Sequence, residues 1–103
     1  MPPKYDGFTD FVLDQLADLP GLTCRAMFGG YGLYRRATFF GIIHKGRLYF
    51  KVSPKSIRLY EDQGMRPFHP NSKQALKSLY EVPADILEEA ERLTTWAEQA
   101  TKK

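Results

Sequence analysis

Apolar residues at Phe8, Phe11, Val12, Leu16 and Leu19 recur at helical spacing, with Gln15 in the same stripe and Asp10, Asp14 and Asp18 opposite. That period predicts an amphipathic first helix, which Pro20-Gly21 stops. From Leu22 to Val52 β-branched and aromatic residues dominate, interrupted at Gly29-Gly30, Gly32 and Lys45-Gly46, and this predicts three antiparallel strands. Ser53 followed by Pro54 has the form of an N-cap and a first helical residue, so a short second helix is expected through Ile57 and Tyr60 to Gly64. Between Met65 and Val82, the residues Pro67, Pro70, Asn71 and Ser72 separate apolar pieces, which predicts a weaker pair of strands around a turn. Pro83 restarts a helix whose buried stripe is Ile86, Ala90, Leu93 and Ala97, widened by Leu87 and Trp96, and residues 101–103 are expected to fray.

The predicted order is α-β-β-β-α-β-β-α, an α+β fold with one antiparallel sheet and helices mainly on one face. No repeat, linker or low-complexity tract divides the 103 residues, so one domain is expected over 1–103, with its core over about 8–100. With 43% hydrophobic residues the chain has enough material to bury a core unaided.

The Lys45-Gly46 hairpin sharpens the reading of the sheet. With these as the two turn residues, His44 pairs with Arg47, Ile43 with Leu48, Ile42 with Tyr49, Gly41 with Phe50 and Phe40 with Lys51. One face then carries Phe39, Gly41, Ile43, Leu48, Phe50 and Val52, suited to packing helices. The other carries Phe40, Ile42, His44, Arg47, Tyr49 and Lys51, aromatic and basic together, and is the candidate interaction face. Three occupants fit it: single-stranded nucleic acid stacked on the rings, a second copy across a two-fold axis, or another segment of the same chain.

Charge adds a mild basic surplus of +3, unevenly spread. Residues 51–80 hold six Lys/Arg against two Asp/Glu, whereas residues 81–103 hold three against six, concentrated where the last helix begins. Arg25, Arg35 and Arg36 flank the glycine-rich segment and are candidate anion or nucleic-acid contacts. Gly29, Gly30 and Gly32 themselves match neither a dinucleotide fingerprint nor a P-loop, and they read as a structural turn. Cys24 is the sole cysteine, and with His44 and His69 it has no close metal-ligand spacing, so no metal, no cofactor and no catalytic residue is expected. The single cysteine fits a reducing cytoplasm. Neither a secretory leader nor an apolar run long enough for a membrane span occurs, so no membrane partner is expected.

Four ordered motifs carry a family resemblance: Met27-Phe28-Gly29-Gly30-Tyr31-Gly32-Leu33-Tyr34, Gly46-Arg47-Leu48-Tyr49-Phe50-Lys51-Val52, Tyr80-Glu81-Val82-Pro83 and Trp96-Ala97. From about Phe8 to Ala100 the chain resembles the N-terminal domain of the TfoX/Sxy competence regulators, and it is read as a stand-alone copy without the C-terminal TfoX domain. The resemblance implies a fold similar to secretion chaperones. It also implies a non-enzymatic, transcription-coregulator type of role in competence or related genes, beside the cyclic-AMP receptor protein at promoters. Expected partners are therefore protein, either transcription machinery or a homodimer. Nucleic acid is the alternative, bound directly or through a DNA-bound regulator, and a small enzyme of unknown reaction is the distant third.

Overall fold

A computed structural model describes residues 6–27 and 29–102; residues 1–5, Phe28 of the first quoted motif and Lys103 lie outside the description. Asp6 starts helix α1 (Gly7–Gln15) by accepting the Thr9 backbone N–H at 2.8 Å, and that bond holds its carboxyl below the usual carboxylate range. Strands β1 (Leu22–Met27), β2 (Gly30–Arg35), β3 (Thr38–His44) and β4 (Arg47–Lys51) follow as a meander. Helix α2 (Ile57–Glu61) leads to the hairpin of β5 (Pro67–Asn71) and β6 (Gln74–Glu81), and helices α3 (Ala84–Leu87) and α4 (Ala90–Thr101) close the chain. The six strands form one antiparallel sheet in the order β1-β2-β3-β4-β6-β5.

The stretch from Leu22 to Val52 thus holds four strands where three were expected. The additional hairpin turns on Arg36 and Ala37, with φ of 49° and 71°, nearly the conformations of Lys45 and Gly46 in the next hairpin at 50° and 72°. Two-residue hairpin loops of this kind need positive φ at both positions. Lys-Gly announces such a turn, whereas Arg-Ala does not.

All four helices pack on one face of the sheet. Val12 and Leu16 of α1, Ile86 of α3 and Leu93 and Ala97 of α4 are fully buried there against Leu33, Phe40 and Phe50, with Ile43 and Leu48 beside them. Tyr60 of α2 joins this core with its ring edge-on to Trp96 at 4.8 Å, and burial pushes its phenol pKa up. Several details depart from the expected stripes. Phe11 remains 40% exposed, α1 ends at Gln15, and Leu19 reaches the core from the following turn. Ala90 is exposed, because the expected last helix is two helices meeting at Glu89, whose backbone is extended at φ −113° and ψ 103°. Ser53 accepts backbone N–H bonds one turn ahead of α2, whose own N-cap is Ser56.

One irregularity decides which residues face the helices. Between β2 and β3, Leu33 stands opposite Gly41 and Tyr34 opposite Phe39, so the register shifts and Phe40 has no partner. A bulge of this type interrupts the alternation of sides. Phe40 enters the helix-side core with no exposed surface, and Phe39 passes to the other face, the reverse of the simple alternation. Gly41 is the residue that permits the close pairing, since a Cβ there would stand 2.7 Å from the Tyr49 carbonyl oxygen.

Ala37 holds a left-handed conformation that costs an L-residue about 1 kcal/mol, part of which glycine's greater chain entropy offsets. Ala37→Gly is expected to raise Tm by about 2 °C in a domain of this size. An unchanged or lowered Tm in a thermal melt contradicts the turn assignment.

Candidate interaction groove

Away from the helices, the sheet builds a second and smaller cluster. Ile42 of β3, Tyr49 of β4, Phe68 of β5 and Leu79 of β6 are each less than a tenth exposed, with Met27 and Phe39 packed against them. The cover comes from the β5–β6 hairpin. Near its base Tyr49, Phe50 and Lys51 pair with Glu81, Tyr80 and Leu79, and beyond that base the hairpin continues as an arm in which residues 69–78 are all exposed. Two register shifts in β5, beside Pro67 and Phe68, let the arm bend so that Phe68 reaches over the sheet. The Phe68 ring lies 4.8 Å from Tyr49 and 5.2 Å, edge-on, from His44.

The arm leaves a groove beneath it with two lobes that meet at His44 and Pro70. The apolar lobe, about 390 Å³, is lined by Met27, Phe39, Ile42, Phe68, Leu76 and Leu79. Leu76 is 42% exposed at its rim, one of the few large apolar side chains left in water. The polar lobe, also about 390 Å³, is lined by Lys45, Arg47, Tyr49, His69, Asn71 and Ser72. Beside the grooved region on the same face, Tyr34 packs edge-on to Phe39 at 5.6 Å, and the Arg25 guanidinium lies 5.5 Å over the Tyr34 ring.

The six residues expected to form one interaction face are therefore divided. Phe40 is removed from it entirely by the bulge, and Ile42 and Tyr49 are floor residues that the chain's own arm covers. His44 joins the two lobes, while Arg47 and Lys51 remain exposed on β4. Arg47 is engaged by Glu81 at 2.9 Å, which raises the guanidinium pKa further, so its charge is partly matched within the domain. Burial, then Glu81, pushes the Tyr49 phenol upward, against the pull of Arg47. The three arginines proposed as anion contacts do not converge. Arg25 stacks on Tyr34, Arg35 donates to the Pro20 carbonyl and reaches Thr101 of α4, and Arg36 sits in the β2–β3 turn. Of the glycines, Gly29 occupies the β1–β2 turn with φ 65°. Gly30 and Gly32 lie within β2, where a Cβ on Gly30 would run into the Ile43 carbonyl oxygen. Met27, Phe39, Phe68, Leu76 and Leu79 were missed as site residues; the apolar pair Leu76 and Leu79 beside Phe68 in the weak strand region was the available signal.

Charge is sorted by layer. Of the twelve carboxylates only Glu81 lies on a strand; Asp10 and Asp14 with their N-cap Asp6, the turn residue Asp18, and the remaining seven belong to the helices or their ends. Strands and their connections carry Arg25, Arg35, Arg36, Lys45, Arg47 and Lys51, then Arg66, Lys73 and Lys77 around the arm, where residues 63–80 contain no acid. The sheet layer is accordingly basic and the helix layer acidic.

Cys24 packs on the helix side, apart from His44 and His69, and among the described residues no group of three His, Cys, Asp or Glu is placed to hold a metal ion. A cleft of about 590 Å³ between the start of α2 and the end of α4 is lined by Leu59, Lys55, Lys102 and uncharged residues, and brings no acid and base together. A family model for the TfoX N-terminal domain matches residues 14–103. The chain belongs to the TfoX N-terminal domain family. No curated protein matches it. Within this TfoX N-terminal domain, no helix of the described residues is long and apolar enough to cross a membrane.

Phe68 ties the arm to the sheet, and its removal is expected to do two things at once. Phe68→Ala should cost about 3 kcal/mol, the lower end for a buried phenylalanine because the arm is solvated on its outer side. It should also bring the Tyr49 phenol back down toward the ordinary tyrosine value, read by NMR titration of the ring. An unchanged Tyr49 titration contradicts the cover.

Proposed function

We propose that this TfoX N-terminal domain is a non-enzymatic, cytoplasmic interaction module of the transcription-coregulator type, whose groove under the β5–β6 arm takes a short segment of a protein partner. The observation that carries this reading is the pairing of an apolar lobe with a polar lobe on the basic layer of the molecule. A segment with one bulky apolar side chain and adjacent carboxylates matches both lobes. The apolar anchor fills the space among Phe39, Phe68 and Leu76, and the carboxylates lie toward Lys45 and Arg47. Burying one large side chain in such a pocket contributes about 2 kcal/mol, and the charges add steering more than affinity.

A second reading has its own support. The acid-free stretch 63–80 and Arg25 stacked on Tyr34 suit the phosphates and bases of nucleic acid. The two readings separate by experiment. In a selection of displayed random peptides, the protein reading expects enrichment of sequences with a bulky apolar residue beside Asp or Glu, and loss of their binding in Leu76→Asp. Enriched peptides that bind Leu76→Asp equally well, or no enrichment, contradict it. Labelled single strands and duplexes bound at low salt, with affinity falling steeply as salt rises, favour the nucleic-acid reading instead.

A further inference from the structure

The polar lobe of the groove holds more donors than a carboxylate requires. His44, Lys45 and Arg47 line it from the β3–β4 floor, and His69 and Ser72 line it from the arm. No Asp or Glu is among its lining residues. Glu81 engages Arg47 through one terminal nitrogen at 2.9 Å, which steadies the guanidinium while the side chain stays 61% exposed. Asn71 is occupied by the arm's own turn, its carbonyl oxygen accepting the Lys73 N–H at 2.8 Å and its amide donating to Gln74 at 3.3 Å. It shapes the wall more than it supplies a donor. Lys45, Arg47, His69 and Ser72 are exposed, so their N–H and O–H groups are open to an incoming acceptor.

We infer that the polar lobe takes the phosphate monoester of a phosphorylated serine or threonine in the partner segment, with the segment's apolar anchor in the adjoining lobe; this rests on the groove being a peptide site. Donors on two sides of one space suit a tetrahedral group. A carboxylate has two oxygens in one plane and a single charge, which the floor alone satisfies. A phosphate monoester carries three terminal oxygens that point apart and about two negative charges at pH 7, so floor and arm each find an acceptor. Hydrogen bonds between such a dianion and Lys or Arg are of the strong, charge-assisted kind. The phosphodiester backbone of nucleic acid is the other source of phosphate oxygens, with one charge per link. The adjoining lobe disfavours it: Met27, Ile42, Leu76 and Leu79 make up most of that lining, a surface for a side chain rather than a platform of rings for stacked bases. The lobes meet at His44 and Pro70, which sets the phosphorylated residue close to the anchor along the segment.

Three pools of synthetic peptides test this, each with a fixed leucine beside a fixed phosphoserine, aspartate or serine and with randomised flanks, titrated against the full chain by fluorescence anisotropy. The phosphoserine pool is expected to bind roughly tenfold more tightly than the aspartate pool, with serine weakest. Lys45→Asn keeps a residue suited to the φ of 50° at that turn, and His69→Gln alters an exposed side chain. Each should cut the phosphoserine preference to about threefold or less, with thermal melts showing that the fold is kept. Leu76→Ala should instead weaken the phosphoserine and aspartate pools alike. Equal binding of those two pools overturns the inference and leaves the groove reading standing, whereas no binding of any pool overturns both. A preference that survives both polar-lobe variants overturns it too, since the phosphate would then sit elsewhere. So does displacement of the phosphoserine pool by an oligonucleotide without terminal phosphate at matched phosphate concentration, which would assign the lobe to phosphodiesters.

Discussion

The bulge at Phe40 is the constraint on which the two-sided character of this sheet depends. A strand that alternated without interruption would send Phe39 to the helices and Phe40 to the opposite face. The shift opposite Leu33 and Tyr34 instead delivers Phe40 to the centre of the main core, where its ring meets Phe50 at 5.6 Å, and hands Phe39 to the groove. The helix layer thereby gains a fully buried aromatic ring, and the other face gains a partly exposed one beside Met27 and Tyr34. Gly41 makes the arrangement sterically feasible, because no side chain fits between β3 and the Tyr49 carbonyl.

From that division the rest follows in order. With the helices committed to one face, the opposite face needs some cover for Ile42 and Tyr49, and the β5–β6 arm supplies it through Phe68 and Leu79. The cover is partial. Ten consecutive residues of the arm stay exposed, so a groove is left between arm and sheet rather than a closed core. The separation of charge reinforces the division of faces: carboxylates near the helices suit helix N-termini such as that of α1, whereas the strands carry most of the cations. This domain in this way presents a basic, partly apolar surface while its net charge stays at only +3.

Much of the fold was legible in the sequence, and the failures have specific causes. Lys45-Gly46 gave the β3–β4 register correctly from His44↔Arg47 to Gly41↔Phe50, because a glycine at positive φ is a strong turn signal. Arg36-Ala37 adopts a similar geometry without either residue favouring it, so one hairpin was invisible and two strands read as one. The candidate face was half legible. His44 and Arg47 line the groove as the alternation implied, but a bulge leaves no mark in the pattern of apolar residues, and Phe40 was assigned to the wrong side. The aromatic and basic face also concealed its own cover, since nothing local to β3 and β4 indicates that Phe68, some twenty residues on, folds over Tyr49. Glu81 was counted with the acids of the last helix, yet it lies on β6 and holds Arg47.

The account stands on two adjacent phenylalanines having opposite fates, and hydroxyl-radical footprinting of the folded protein reads them separately by fragment-ion mass spectrometry. The expected result is strong labelling of Phe39 together with Leu76, and little at Phe40, Phe50 or Tyr49. Labelling of Phe40 at or above the level of Phe39 would contradict the bulge, and with it the groove.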